Sequence, residues 1–342
     1  MKEKFLYLAF PLLILWIAGC SANKNKNVPN TPKDTVVTNY FGTPVADPYR
    51  WLEDGNSPKV KQWITEQNNY AEKTLSGYSQ QKIIESRIKK LDITSVNQFS
   101  PKLVNDKLFF MQSTPPQAQP AVAYKSWTGG KEKILVDPNQ IKKGVAITGF
   151  WPSPKGNFLA YGLAVGGNEA TTIHVLNVKT GENLKDTLIK CGGGATPTGM
   201  IWDANEKGLT YVRLPMPGTV PESESQFYAA LYHHYLNRPQ KDDKLVFGKG
   251  LSKVAEYTFI PSYDGKEAAM FVHFGDGNPD YVYIRKGIDK WNQVLDTSSN
   301  VRVASELNAG AAWDSDNNLL VIAYKNNPRG QLLSINLKDK QR

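Results

Sequence analysis

The sequence contains few of the residues from which disulfide frameworks, metal centres and histidine-dependent active sites are built. Its 342 residues include two cysteines and four histidines. Two cysteines cannot form a disulfide framework, and with so few metal-ligand residues we expect neither a metal site nor a cofactor. The composition, 40% hydrophobic and 21% charged, also excludes a disordered chain and a coiled coil.

Long runs of one charge are absent as well. The net charge is +9, but the basic residues are scattered and form only local pairs such as Lys89-Lys90. A nucleic-acid-binding surface needs lysine and arginine clustered on one face or along one helix. We therefore expect no nucleic-acid partner. A basic surface beside an anionic membrane is the alternative use of this charge.

The N-terminus has the pattern of an export signal. Two lysines precede an apolar run over 5–18, which is shorter than a membrane-spanning helix and fits the hydrophobic part of a secretory signal. The run ends in the letters IAGC, which resemble the lipobox of bacterial lipoproteins. This resemblance implies cleavage before Cys20 and acylation of its thiol. We predict a lipoprotein signal peptide over 1–19, lipid attachment at Cys20 and a polar lipidated tether over 20–33.

These features predict a location in the bacterial cell envelope, with a lipid anchor holding the chain to a membrane on the periplasmic side or at the outer membrane. Ser21 follows the cysteine in place of the aspartate that commonly retains lipoproteins in the inner membrane, which favours the outer membrane. Two alternatives are an ordinary signal peptide with a cysteine present by chance and an uncleaved anchor with the same topology.

Residues 34–96 are predicted to form a short helical segment. Apolar side chains recur at the 3.6-residue spacing of a helix between Ser57, a suitable N-cap, and Gly77, a suitable stop. A second helix is expected over 80–91. Both helices precede the part of the chain that reads as strands.

The apolar face of this segment requires a partner. It is formed by Trp51, Leu52, Trp63, Ile64 and Tyr70. A helix face of this kind must bury against another element. We expect it either to leave a large exposed apolar patch or to fold back on the strands that follow.

Beyond the helical segment the sequence changes to short strands that repeat. Four segments share an apolar or aromatic residue, a small polar turn and an apolar strand, and they begin at Trp151, Trp202, Ile260 and Trp313. Their starts are spaced 51, 58 and 53 residues apart, and a weaker copy begins at Phe99. Each copy is followed by a second hairpin, so one unit contains four strands. Such units bury their faces by radial stacking in β-propellers; a β-sandwich with chance turn similarity is the alternative.

A motif before the first helix indicates a family. The stretch from Asp47 to Asp54, DPYRWLED, followed by VKQWITEQN over 60–68, closely resembles the N-terminal signature of the prolyl oligopeptidase family. The resemblance covers about 34–342. It implies a serine peptidase that cleaves short peptides after proline. In that family an N-terminal segment joins an α/β-hydrolase domain, a seven-bladed propeller follows, and the hydrolase domain completes the chain.

The repeat and the resemblance together predict the fold. We expect a mainly β chain in which the helical segment precedes an incomplete β-propeller over 97–342. That range holds about four to five of the seven four-stranded blades. Two further blades and the catalytic domain are then expected to be missing.

No catalytic residue is predicted in this chain. A hydrolase displays its nucleophilic serine on a G-x-S-x-G turn, and this motif does not occur. The glycine run 192–194 lacks a serine and is interpreted as a loop between blades. The histidines are expected in strands without a nearby nucleophile, with the adjacent pair pointing to opposite faces; they are His174, His233, His234 and His273. Whether the chain is an enzyme stays open at this point.

Other candidate residues have structural interpretations. Asp203 and Asp314 follow blade tryptophans and are predicted to form turns. Glu222 and Glu224 fall in a polar loop and are expected to be solvated. Pro197-Thr198 stands where the family tends to carry an aromatic residue, so no substrate contact is assigned there.

Three functions compete. The first is the N-terminal, propeller portion of a prolyl oligopeptidase-like serine peptidase lipoprotein, inactive alone. The second is one half of a split peptidase, completed by a separate catalytic chain; proline-containing peptides would be its substrates only after completion. The third is a stand-alone propeller binding protein of the cell envelope.

Overall fold

The computed structural model describes residues 28–92, 95–167, 170–192, 199–262, 264–275, 279–285, 287–303 and 310–337. They form two compact units that divide between residues 92 and 93. The predicted signal peptide and Cys20 lie outside the described residues, as does Pro197-Thr198. No helix in the described part of the chain is long and apolar enough to cross a membrane.

The N-terminal unit contains a β-hairpin and two helices. Strands β1 (Val36–Tyr40) and β2 (Thr43–Asp47) pair antiparallel, and a 3-10 helix follows at Arg50–Glu53. Helix α1 spans Pro58–Ser76 and helix α2 spans Gln81–Asp92. Both helices were predicted and are confirmed, with Ser57 and Gly77 at the ends of α1. The hairpin was not predicted within the segment.

Residues 29–32, assigned above to the tether, are bound to this unit. The indole Nε1 of Trp63 donates to Thr31 Oγ1 at 3.0 Å, and that of Trp51 donates to the carbonyl of Pro32 at 2.9 Å. Both tryptophans are half-buried as a result, whereas Ile64 stays exposed. The extended segment therefore covers part of the apolar face, and it includes the last residues of the range predicted as a tether.

The second unit consists of five antiparallel sheets, in which each strand pairs with the next along the chain. We call these sheets blades 1 to 5. Blade 1 contains β3 (Asn97–Val104), β4 (Lys107–Ser113), β5 (Ala121–Ser126) and β6 (Lys133–Val136). Blade 2 contains β7 (Val145–Pro152), β8 (Phe158–Val165), β9 (Thr171–Asn177) and β10 (Asn183–Cys191).

The remaining blades follow the same order. Blade 3 contains β11 (Met200–Trp202), β12 (Gly208–Arg213), β13 (Ala230–Tyr235) and β14 (Lys244–Phe247). Blade 4 contains β15 (Ala255–Pro261), β16 (Ala268–Phe274), β17 (Tyr281–Arg285) and β18 (Trp291–Leu295). Blade 5 has three described strands, β19 (Ala311–Trp313), β20 (Leu319–Ala323) and β21 (Gln331–Ile335). The prediction of a mainly β, incomplete propeller is confirmed.

The core lies between consecutive blades. Four apolar clusters are present among the described residues, and each combines side chains from two neighbouring sheets. Phe109 of blade 1, for example, packs in one cluster with Leu159 of blade 2, and both are fully buried. Burying a side chain of this size stabilises the fold by roughly 1.5–3 kcal/mol. The stacking that the repeat predicted is therefore the source of the core.

Two of the repeated tryptophans join their blade to the one before it. The indole Nε1 of Trp202 donates to the carbonyl of Trp151, and that of Trp313 donates to the carbonyl of Ile260, both at 2.9 Å. Ile260 has no indole, and at this interface Arg285 Nη2 donates to the carbonyl of Trp202 at 3.2 Å. The repeat spacing thus places each donor beside its counterpart in the preceding blade.

Replacing Trp202 by phenylalanine should lower the free energy of unfolding. The ring still fills the interface, but the carbonyl of Trp151 loses its donor, which costs about 1–3 kcal/mol. Urea unfolding followed by circular dichroism measures the change. Trp127→Phe is the matched control, because Trp127 is 62% exposed and its replacement should change stability by less than about 0.5 kcal/mol. Equal stabilities of the two variants would contradict this account.

Candidate functional site

A cavity lined largely by apolar side chains lies where the first strands of blades 1 to 4 converge. This cavity, which we call the central cavity, has a volume of about 430 Å³. Its walls include two indoles, three prolines and a lysine, namely Trp151, Trp202, Pro152, Pro154, Pro261 and Lys102. Ligand pockets have volumes of about 300–1,000 Å³. The cavity is therefore large enough for a small ligand.

Lys102 is the one charged residue among those lining the cavity. Its ammonium donates to the carbonyl of Phe150 at 2.6 Å and lies 4.6 Å from the centre of that ring. Lys102 is an exposed residue, although many protein atoms surround its ammonium. This desolvation lowers the pKa of Lys102 to about 8. None of the described carboxylates forms an ion pair with it.

A second polar centre lies between blades 2 and 3. His234 on β13 places Nδ1 2.7 Å from Asp243 Oδ1 and Nε2 2.8 Å from Asp186 Oδ1, the latter on β10. All three side chains are almost completely buried. Burial opposes the charged ring, but the two carboxylates outweigh it and raise the pKa of His234 to about 9. The charged imidazole thus holds two blades together.

His233, on the opposite face of β13, has the neighbours of a catalytic base. Thr210 Oγ1 lies 3.2 Å from its Nδ1, and Asp203 Oδ2 lies 3.4 Å from its Nε2. Hydroxyl, imidazole and carboxylate are the groups of nucleophilic catalysis. However, Thr210 is 0% and His233 1% exposed, so no substrate reaches them. Burial lowers the pKa of His233 and raises that of Asp203.

The other two histidines also lack an accessible nucleophile. His273 Nε2 lies 3.0 Å from Glu256 Oε2, and its Nδ1 lies 3.4 Å from Asp280 Oδ1. His174 is half-buried beside the ring of Tyr161, and burial lowers its pKa. Burial also raises the pKa of the Cys191 thiol far above its usual range. A thiol of this kind is unreactive.

The acidic residues have the roles predicted for them. Asp314 Oδ1 accepts the backbone N–H groups of Asp316 and Asn318, which confirms it as a turn former. Asp203 also forms its turn, since its carbonyl accepts from the backbone of Glu206. Among the described residues, no group of histidine, cysteine and acidic side chains is arranged to hold a metal ion.

Glu222 and Glu224 lie in a short 3-10 helix of the loop between β12 and β13. Glu224 pairs with Lys253 at 3.0 Å, at the surface. Gly192 has φ of 67° after β10, as expected of a turn, whereas Gly193 and Gly194 lie outside the described residues. None of these residues forms a site.

Sequence reasoning did not find Lys102 or the partners of His234. Lys102 lies in the weak first copy of the repeat, and the carbonyl it contacts is 48 residues away. Asp186 is equally distant from His234. The one sequence signal for these sites was the adjacent pair His233 and His234. Adjacent residues of a strand point to opposite faces of the sheet, but this pattern does not show which groups each ring contacts.

The charged His234 makes the stability of the fold depend on pH. The pKa is about 9 in the folded chain and about 6.5 in an unfolded one. The ring therefore contributes fully below about pH 6.5, and the contribution, about 3 kcal/mol, is lost as pH rises through about 9. Denaturant unfolding at several pH values between 6 and 10 measures this loss.

His234→Gln should flatten that pH dependence and lower stability at neutral pH, because Asp186 and Asp243 then share no cation. His174→Gln is the control, since no described carboxylate pairs with that ring. An unchanged pH profile in the His234 variant would show that the imidazole is not charged between the blades.

The geometry agrees with comparisons to known proteins. Residues 29–342 match the sequence model of the prolyl oligopeptidase N-terminal beta-propeller domain. The prolyl endopeptidase of Elizabethkingia miricola is 28% identical over 255 residues, which are 72% of this chain and 35% of that protein. The enzyme of Elizabethkingia meningoseptica is 29% identical over 255 residues, covering 72% and 34%. The chain thus matches about a third of each relative.

A solved structure from work on two prolyl endopeptidases and the role of inter-domain dynamics in catalysis and specificity superposes with a TM-score of 0.75. Its sequence identity is 25%, and the match covers 92% of this chain and 45% of that one. The chain therefore belongs to the prolyl oligopeptidase family, of which it contains the N-terminal β-propeller domain.

Proposed function

We propose that this chain is the propeller part of a lipid-anchored serine peptidase that acts on short proline-containing peptides, and that it cleaves nothing by itself. The observation that carries the proposal is the state of the described histidines. Each faces carboxylates, a buried hydroxyl or an aromatic ring. None offers an accessible base to an accessible nucleophile.

Acyl transfer needs a nucleophile, a base, a group that orients the base and donors that stabilise the oxyanion. The Thr210–His233–Asp203 set is enclosed between blades 3 and 4 and cannot meet a peptide. We therefore assign the catalytic groups to polypeptide outside these 342 residues. A continuation of the same chain and a separate complementing chain both satisfy this requirement.

The propeller would select substrates by size. A cavity of about 430 Å³ admits an unfolded peptide end and excludes a folded domain, which is far larger. The same cavity favours the third function named above, a stand-alone binding protein, because binding in the cavity requires no catalytic partner.

The anchor is a separate part of the proposal. Cys20 would carry the lipid, and residues 29–32 are bound to the N-terminal unit. Seven residues lie between Cys20 and Val28, and a stretch of that length spans at most roughly 25 Å. The N-terminal unit would therefore be held close to the membrane surface.

The purified chain should release no product from a fluorogenic peptide containing proline. The reason is that a buried hydroxyl cannot attack a peptide carbonyl. Adding the remaining blades and the hydrolase domain of a relative, as a fused continuation, should restore hydrolysis. Turnover by the chain alone, abolished by Thr210→Val or by replacing one serine, would refute the proposal.

Cys20→Ser should abolish incorporation of labelled palmitate by bacteria that express the full chain. Cys191→Ser is the control, because that thiol is buried and should leave labelling unchanged. The measurement is autoradiography of the immunoprecipitated protein. Label that persists in the Cys20 variant would exclude the predicted attachment site.

A further inference from the structure

The central cavity combines apolar walls with one cation. Trp151 and Trp202 face it together with prolines of blades 2 and 4. The indole N–H of Trp202 is engaged between blades, because it donates to the carbonyl of Trp151. The walls therefore offer chiefly apolar ring surface to a ligand.

The cation is Lys102, and its charge is poorly balanced. Its hydrogen-bond acceptor is the uncharged carbonyl of Phe150, and the Phe150 and Trp151 rings lie 4.6 and 5.9 Å from the ammonium. Lys102 is exposed, so a ligand in the cavity can reach its ammonium, and an ammonium in partly desolvated surroundings attracts a counter-ion. An anion entering the cavity would restore the missing partner.

The shape of the cavity restricts which anion fits. Its volume of about 430 Å³ greatly exceeds that of a carboxylate group, so the anion should be attached to a larger apolar body. A peptide that ends in its free carboxylate has this chemistry: one terminal charge and side chains that pack against indole and proline rings. Capture of a C-terminal carboxylate is a known mode of peptide recognition.

We propose that the central cavity binds the C-terminal carboxylate of an oligopeptide, with the Lys102 ammonium as its counter-ion and the Trp151 and Trp202 rings as the surface for its last side chains. This inference deepens the proposed function and rests on it for the choice of a peptide as ligand. The binding step involves no covalent chemistry and needs no catalytic domain.

Two peptides that differ only in the terminal charge test the proposal. Acetyl-Ala-Ala-Pro-Phe with a free carboxylate should bind the purified full chain about tenfold more tightly than its C-terminal amide. Isothermal titration calorimetry measures both affinities. Added salt should reduce the preference, because it screens the ion pair. Equal affinities of the two wild-type complexes, or no binding of either, would overturn the proposal without any variant.

Variants then assign the charge to one residue. Lys102→Met should lower the affinity for the free acid to that for the amide and leave the amide unchanged, and Lys102→Arg should keep most of the preference. Lys290→Met is the matched control, because Lys290 is exposed just before β18 and does not line the cavity. A preference that persists in folded Lys102→Met would place the carboxylate elsewhere.

Failure of the carboxylate site can be distinguished from failure of the proposed peptidase function. Hydrolysis by a completed enzyme, combined with equal affinity of this chain for acid and amide, would remove the carboxylate site and keep the peptidase assignment. Carboxylate-dependent binding by a chain that no hydrolase domain activates would keep the site and favour the stand-alone binding protein.

Discussion

Apolar contact between consecutive sheets is the interaction on which the propeller unit depends. Each cluster takes its members from two blades, so no sheet carries a core of its own. Apolar attraction has no preferred direction, and two sheets could slide across one another without losing much of it. The indole-to-carbonyl hydrogen bonds from Trp202 and Trp313 remove that freedom, because each fixes one strand against one atom of its neighbour.

Charged side chains also lie at the interfaces between blades, where fixed polar partners surround them. His234 meets two carboxylates from different blades, while Arg285 donates to carbonyls of Trp202 and Gly265 and lies 3.8 Å from Asp203. These groups replace hydration with fixed partners, which is the requirement for burying them. Lys102 departs from the rule, since it meets only a neutral acceptor. Lys102 lines the central cavity and is exposed, so a ligand has access to it.

Much of the fold could be predicted from periodicity and turns. Helical spacing gave α1 and α2, and the repeated turns gave the blades, because both patterns are local and recur. The hairpin β1–β2 was not predicted because most of its residues are exposed. Its sequence therefore lacks the alternation of buried and exposed side chains that identifies a strand. Residues 29–32 were missed for a different reason: their polar composition is that of a linker, and they are held by side chains distant in sequence, those of Trp51, Trp63 and Gln67. The site depended on contacts such as Lys102 with Phe150, which no local pattern encodes.

The bonds between residues 29–32 and the N-terminal unit have a mechanical consequence. A force applied at the N-terminus would travel along the backbone to Thr31 and Pro32 and would load the indoles of Trp63 and Trp51 before it reached any blade. Those hydrogen bonds and that of Gln67 to Pro29 would share the load between the 3-10 helix and α1. Under such a force the N-terminal unit would thus unfold before the blades do.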